Sequence, residues 1–297
     1  MNTAHKILAA TDFSSPARHA LDRAARLARS TGAPLQLVHA LSDGALRQLR
    51  QLLGLGSMVE QDLIEQTRQS LESAADELRV AYGVAVQTTL VHGAVLDEIT
   101  QLADAADVAL VVLGARGAGF MRRFVLGSTA ERLLRKTHSP MLVVKQRGHE
   151  PYRRVLVAVD FSPATAPLVD LARRVAPGAH LVLLTAYEVP FEGKLRFASV
   201  AEAAIEKLRV QAQQSATQQL HVLAAGAGLT ADEWTPCIPR ANAALAIIEH
   251  EQEQDCDLIV IGKHGQNMAE ELLLGSVTKH VLAESAGDVL VSTLRRG

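Results

Sequence analysis

Short apolar runs alternate along the chain with longer stretches in which apolar residues recur every three or four positions. Runs such as Lys6-Ile7-Leu8-Ala9-Ala10 and Arg154-Val155-Leu156-Val157-Ala158-Val159 lack the in-out alternation of a half-exposed strand, so they read as strands buried on both faces. Each passes through Asp-Phe-Ser into a stretch of helical period, where Leu21, Ala24, Ala25 and Ala28 mark the inner face of the first. Ser14 or Ser15, and Ser162, are placed to cap these helix starts, Pro16 suits a first turn, and Gly32 and Gly178 close the helices. Second strands are predicted over 35–39 and 181–185, long helices over 58–82 and 200–223, and third strands over 84–91 and 230–238. Helices over 96–105 and 243–252 precede fourth strands over 108–113 and 258–261. Helices over 128–136 and 276–284 lead to fifth strands over 141–145 and 289–293.

These elements form one series written twice, at an offset of 148 residues. Asp12-Phe13-Ser14 recurs as Asp160-Phe161-Ser162, Leu126-Gly127-Ser128 as Leu274-Gly275-Ser276, and Leu142-Val143 as Leu290-Val291. Landmarks spread so widely at one offset indicate a duplicated domain. The expected units are 1–147 and 152–297, joined by the polar segment Gln146-Arg147-Gly148-His149-Glu150-Pro151. Strands alternating with helices imply an α/β fold in which each unit is a five-stranded parallel sheet with helices on both faces, because parallel strands need crossover connections. Ligands of such sheets gather beyond the carboxyl ends of the strands, where Asp12, Gly114 and the segment leading to Ser128 fall.

Composition narrows the class. Of 297 residues, 48% are apolar and 21% charged, which are globular values, and the longest apolar run is far short of the ~20 residues needed to cross a bilayer. Asp12 falls where a secretory signal would place its apolar core, so export is not expected and a cytoplasmic setting is. Residues 1–148 hold seventeen basic and fourteen acidic side chains, and the remainder thirteen and eighteen, so the halves carry +3 and −5. Neither balance, nor a pI of 6.6, suits a nucleic-acid binder. Cys237 and Cys256 make no disulfide framework and read as inert, while His39, His92, His138 and His264 lack metal-ligand spacing. The basic, amphipathic stretch 46–55 is expected to be a core or cover helix, with partner or membrane-surface contact as the alternative.

The chemistry sits in Gly114-Ala-Arg-Gly117, nine further residues and Gly127-Ser128, repeated as Gly262-Lys-His-Gly265, nine residues and Gly275-Ser276. The first glycines of each set stand where a strand stops, and are expected to permit positive φ and close approach of a ligand to the backbone. Each Gly-Ser pair opens a helix whose unpaired amides and positive dipole end attract an anion. The spacing is neither the P-loop nor the dinucleotide fingerprint. On the residues alone, the glycines also suit tight strand-end turns, and Asp12 and Asp160 suit helix capping.

With the Asp-Phe-Ser turn and the final His138-Ser139-Pro140-Met-Leu-Val-Val run, each half resembles a universal stress protein domain, whose nucleotide-binding members carry Gly-x2-Gly-x9-Gly-Ser/Thr after the fourth strand. The resemblance covers nearly the whole chain, twice. It implies tandem Rossmann-like domains of the adenine nucleotide alpha hydrolase-like kind, a cytoplasmic stress-response role, and ATP or ADP as ligand, with magnesium as a possible companion. It also implies pairing of domains through their fifth strands, within the chain or in a homodimer. By the same resemblance, Asp12 lies near the ribose or a cation, and Val38 and His39 near adenine. Leu113 and Gly114 line adenine and ribose, and Arg116, Gly117, Gly127, Ser128 and Thr129 reach the phosphates. The matching second-half set is Asp160, Thr185, Ile261, Gly262, His264, Gly265, Gly275, Ser276 and Val277.

The halves depart from one another. Arg122 and Arg123 in the first nine-residue segment become Glu270 and Glu271 in the second, where like charge opposes phosphate and Lys263 and His264 are the available compensation. Asp288 replaces Pro140, and Ala241 replaces Gly93, so the third-strand junction is expected to differ. A nucleotide-dependent regulator is the leading reading, with hydrolysis or self-phosphorylation at most slow, because no Ser-His-Asp order, paired carboxylates or metal cage emerges. An interaction scaffold or small-metabolite binder of the same fold is the alternative, and a nucleotide-using enzyme a third.

Overall fold

The computed structural model describes residues 5–44, 47, 57–117, 126–189, 192–198, 200–265 and 273–293. In the first half these form β1 (Lys6–Ala10), α1 (Ser15–Thr31), β2 (Leu35–Ser42), α2 (Ser57–Tyr82), β3 (Val86–Gly93), α3 (Val95–Ala103), β4 (Val108–Gly114), α4 (Ser128–Lys136) and β5 (Met141–Val144). The second half gives β6 (Arg154–Ala158), α5 (Thr165–Val175), β7 (His180–Leu184), α6 (Glu192–Phe197), α7 (Glu202–Gly226), β8 (Trp234–Cys237), α8 (Ala243–Glu253), β9 (Leu258–Gly262), α9 (Ser276–Glu284) and β10 (Asp288–Ser292). The α/β class and the alternation expected from the sequence are both present. The stretch 46–55 lies outside the described residues except at Arg47.

All ten strands join one sheet in the order β3-β2-β1-β4-β5-β10-β9-β6-β7-β8. Every neighbouring pair is parallel except β5 with β10, which run antiparallel with Leu142 opposite Leu290. Alternate strand residues feed two cores. Ile7, Leu37, Val112, Leu142, Val157 and Leu290 pack on the face covered by α1, α2, α5 and α7. Leu8, Val111, Val143, Leu156, Ile259 and Val289 pack on the face covered by α3, α4, α8 and α9. Both cores run unbroken across the β5–β10 seam, which is why strands on either side of it carry continuous apolar runs.

The first helices of the two halves start differently. Ser14 caps α1, accepting from the amide of Ala17 at 3.3 Å, and Gly32 ends it at φ 70°. Ser162 does not play the matching part. Helix α5 starts only at Thr165, preceded by Ala164, and the Ser162 carbonyl accepts from the Thr165 amide at 3.0 Å. The third-strand junction also differs, as expected. Gly93 has φ 142°, and a Cβ there would come within 2.7 Å of Glu98, whereas the second half runs through Ala241 to Asn242, whose side chain caps α8.

Asp288, which stands at the Pro140 position, is the polar centre of the seam and is 1% exposed. One carboxylate oxygen accepts from the amides of Lys145 at 2.9 Å and Gln146 at 3.3 Å. The other accepts from the Tyr152 hydroxyl at 2.6 Å and faces Nε of Arg23 at 3.2 Å. Burial pushes this carboxyl up, against the opposing pull of Arg23, Tyr152 and the two amides. The Arg23 guanidinium lies 4.1 Å from the Tyr152 ring centroid and donates to the Glu150 carbonyl at 2.9 Å. A side chain at Gly148 would collide with that guanidinium. The segment read as a simple linker is thus wrapped around a buried arginine.

Removing one partner of a buried pair strands the other, at about 3–5 kcal/mol, whereas an exposed pair contributes about 0–1 kcal/mol. Asp288→Ala is therefore expected to lower the urea midpoint far more than Glu65→Ala, whose pair with Arg68 is exposed. Equal midpoints would show that the seam charge is dispensable. Burial also pushes the Cys237 thiol up to about 11 and Cys256 up to about 12. Iodoacetamide at neutral pH should label neither in the folded chain and both in urea, as followed by intact mass.

Candidate functional site

The two Asp-Phe-Ser turns lie beyond β1 and β6, the central strands at which the order reverses in each half. Phe13 has φ 61° and Phe161 φ 58°, a left-handed conformation that costs a bulky residue roughly 1–3 kcal/mol. Local hydrogen bonds hold it in place. The Asp12 carboxylate accepts from the Ser14 amide at 3.0 Å, and the Phe13 amide donates to the Thr11 hydroxyl at 3.0 Å. In the second half the Asp160 carboxylate accepts from the Ser162 amide at 3.0 Å and from the Thr165 hydroxyl at 3.1 Å. Asp12 is exposed and Asp160 half-buried.

Beside the first turn, the Thr11 amide extends the ladder to the Val38 carbonyl at 2.9 Å. Nδ1 of His39 lies 2.8 Å from the Thr11 carbonyl, which can only accept, so that nitrogen carries a proton. The Phe13 and His39 rings meet at 4.5 Å between centroids with their planes tilted by 33°, giving this strand end an aromatic surface. Sequence reasoning passed over Phe13 and Thr11, because only the turn reveals that one points its ring at His39 and the other ties the turn down.

Each glycine loop folds back on its own strand. The Gly127 amide donates to the Ala115 carbonyl at 2.8 Å, and the Gly275 amide to the Lys263 carbonyl at 2.9 Å. None of Gly114, Gly117, Gly262 and Gly265 has positive φ, contrary to the conformational role expected for them. Their constraint is close approach. A Cβ on Gly114 would stand 2.9 Å from the Pro16 carbonyl oxygen, and one on Gly117 would stand 2.7 Å from the Asp12 carboxylate. The corresponding distance from Gly265 to Asp160 is 3.8 Å, so the second turn is looser. Gly127 and Gly275 precede α4 and α9, and among the described residues no capping side-chain hydrogen bond is made at either start. First-turn amides of such a helix are open to solvent or to an anion.

The fold brings Asp12, Arg116, Gly117 and Gly127 together at one strand end, with Ser128 and Thr129 exposed on the first turn of α4. Asp160, His264, Gly265 and Gly275 meet in the same way, with Ser276 exposed on α9. Val38, Leu113, Thr185 and Ile261 are at most 5% exposed, so they offer a ligand backbone rather than side chain. Val277 is half-buried against the core. Gly114 and Gly262 end β4 and β9. Arg122, Arg123, Glu270 and Glu271 lie outside the described residues.

Lys263 differs from expectation. It is 6% exposed, and its ammonium donates to the carbonyls of Arg135 at 2.7 Å and Thr137 at 3.4 Å in the other half. It is directed into the seam, toward the end of α4. Thr278, which sequence reasoning also missed, donates from its hydroxyl to the Gly262 carbonyl at 2.8 Å and pins the start of α9 to β9. The first half has Ala130 at that position. Among the described residues no three acidic, His or Cys side chains group to hold a metal, and no helix is long and apolar enough to cross a membrane.

Comparison with known proteins places this geometry. The family model described as the universal stress protein family matches residues 3–145 and again 151–293. A universal stress protein of Mycolicibacterium smegmatis is 26% identical over 305 residues, covering 97% of each chain. One from Mycobacterium tuberculosis is 28% identical over 246 residues, 78% of this chain and 74% of that one. The crystal structure of a universal stress protein from Archaeoglobus fulgidus matches with a TM-score of 0.69 at 18% identity and covers 99% of both chains, a likeness of fold. With two successive family matches spanning nearly all of its length, the chain belongs to the universal stress protein family.

Proposed function

We propose that this protein is a cytoplasmic stress-response regulator that binds ATP or ADP, with the first half as the tighter site. One observation carries the reading: in each half the glycine loop folds onto the start of an uncapped helix, with an aspartate from the central strand end beside it. Such a cradle suits phosphate, since the first amides of a helix and its positive dipole end attract an anion. Arg116, half-buried beside Gly127, adds positive charge. The exposed Phe13 ring against His39 offers a stacking surface for a purine.

Three features rank the halves. Lys263 is committed to the seam, Glu270 and Glu271 replace Arg122 and Arg123, and Gly265 stands farther from its aspartate than Gly117 does. A magnesium ion would arrive with the phosphates, and Asp12 is the carboxylate placed to meet it. In this reading the halves act as a built-in pair through β5 and β10. Both fifth strands face each other, so a homodimer would need another surface.

Calorimetric titration of the full chain with ATP and with ADP tests the proposal. Gly117→Val should weaken the tighter binding by about tenfold or more, equivalent to ~1.4 kcal/mol, and Gly265→Val should affect only the weaker. A parent chain that takes up neither nucleotide overturns the reading in favour of the scaffold.

A further inference from the structure

Two lysines cross the seam and finish helices that belong to the opposite half. The Lys145 ammonium donates to the carbonyl and the hydroxyl of Ser285 at the end of α9, each at 2.7 Å. Lys263 does the same for α4 through the carbonyls of Arg135 and Thr137. A cation on the last carbonyls of a helix satisfies groups left without intrahelical partners and reinforces the dipole. The two braces are not equivalent. Lys145 follows β5 and lies in neither glycine loop, whereas Lys263 stands between Gly262 and His264, inside the second half's own loop.

Lys263 is held at three of its groups. Its amide donates to the Ser292 carbonyl at 2.8 Å, its carbonyl accepts from Gly275 at 2.9 Å, and its ammonium holds the end of α4. The residue is thus tied at once to β10, to the start of the second half's phosphate-side helix, and to the end of the first half's. Helix α4 spans nine residues, about 13 Å, and its opposite end carries the Gly127-Ser128-Thr129 start. The first-half loop cannot return the contact, because Ala115 occupies the Lys263 position.

We propose that Lys263 couples the two anion sites, so that a nucleotide on the second half's loop changes the affinity of the first half through α4. This rests on the nucleotide reading above. A ligand that shifts residues 262–265 or the Gly275 amide displaces the Lys263 backbone, and the side chain carries that displacement to α4. The coupling is reciprocal in equilibrium binding, since each ligand must alter the other's affinity by the same factor.

The test is a calorimetric cycle with ADP on the full chain: parent, Gly117→Val, Lys263→Met and the double variant, with Lys263→Arg retaining the charge. In the parent background, where the tighter first half fills first, closing it with Gly117→Val should change second-half affinity by about fivefold or more, and in the Lys263→Met background by a factor near one. Lys263→Arg should restore most of the difference. Hydrogen exchange without ligand gives a second readout, in which the amides of residues 132–137 exchange faster in Lys263→Met than in the parent or Lys263→Arg. Equal ratios in both backgrounds, or unchanged exchange along α4, overturn the coupling while leaving nucleotide binding intact. A parent that binds no ADP and no ATP removes the nucleotide reading, and the coupling falls with it.

Discussion

Asp288 occupies the point at which two copies of one fold must become one molecule, and a carboxylate that deeply buried must find donors or cost several kcal/mol. It finds them across the seam and at the start of its own half: the amides of Lys145 and Gln146, the Arg23 guanidinium and the Tyr152 hydroxyl. The amides just past β5, which would otherwise end at an open edge, are answered by this side chain from β10. The antiparallel pairing of β5 with β10 then lets both apolar cores pass through the seam without a polar gap. The end of β5, the start of the second half and the buried Arg23 all meet at this one group.

Around that seam the repeat has stopped being symmetrical. Duplicated loops keep their glycines and their return hydrogen bonds, because backbone closure is needed wherever a strand feeds an uncapped helix. Side chains between them have diverged. Lys263 and Thr278, where the first half has Ala115 and Ala130, tie the second half's loop to its neighbours. The start of α5 is likewise recast around Thr165 and Asp160. The first half keeps Ser128 and Thr129 on an exposed helix start with Arg116 alongside.

The strained turns fit the same division of labour. A left-handed phenylalanine in each half is unfavourable taken alone, and it persists where an aspartate, an adjacent serine amide and the strand end over-determine it. In the first half the strain sets a ring against His39, so backbone conformation, aromatic surface and carboxylate are presented together beside the glycine loop. Stability is drawn from the cores on either face of the sheet, leaving the strand ends free to hold this less favourable geometry.

Local pattern alone was enough for the strand Lys6–Ala10 and for helices Ser128–Lys136 and Ser276–Glu284, because two-faced burial and helical period are written in neighbouring residues. The offset of the repeat revealed the duplication, and glycine spacing located the loops. Short helix Glu192–Phe197 was not legible, since six polar-rich residues carry no period. The contribution of the loop glycines was misread as conformational freedom, because the Pro16 carbonyl and Asp12 that crowd them lie about a hundred residues earlier. In sequence, Lys263 reads as charge compensation for Glu270 and Glu271, and Asp288 as a mere departure from proline. Only the packed chain shows that one reaches the end of α4 and the other gathers Arg23, because the energy of a buried charge depends on what surrounds it in space and not on what precedes it in sequence.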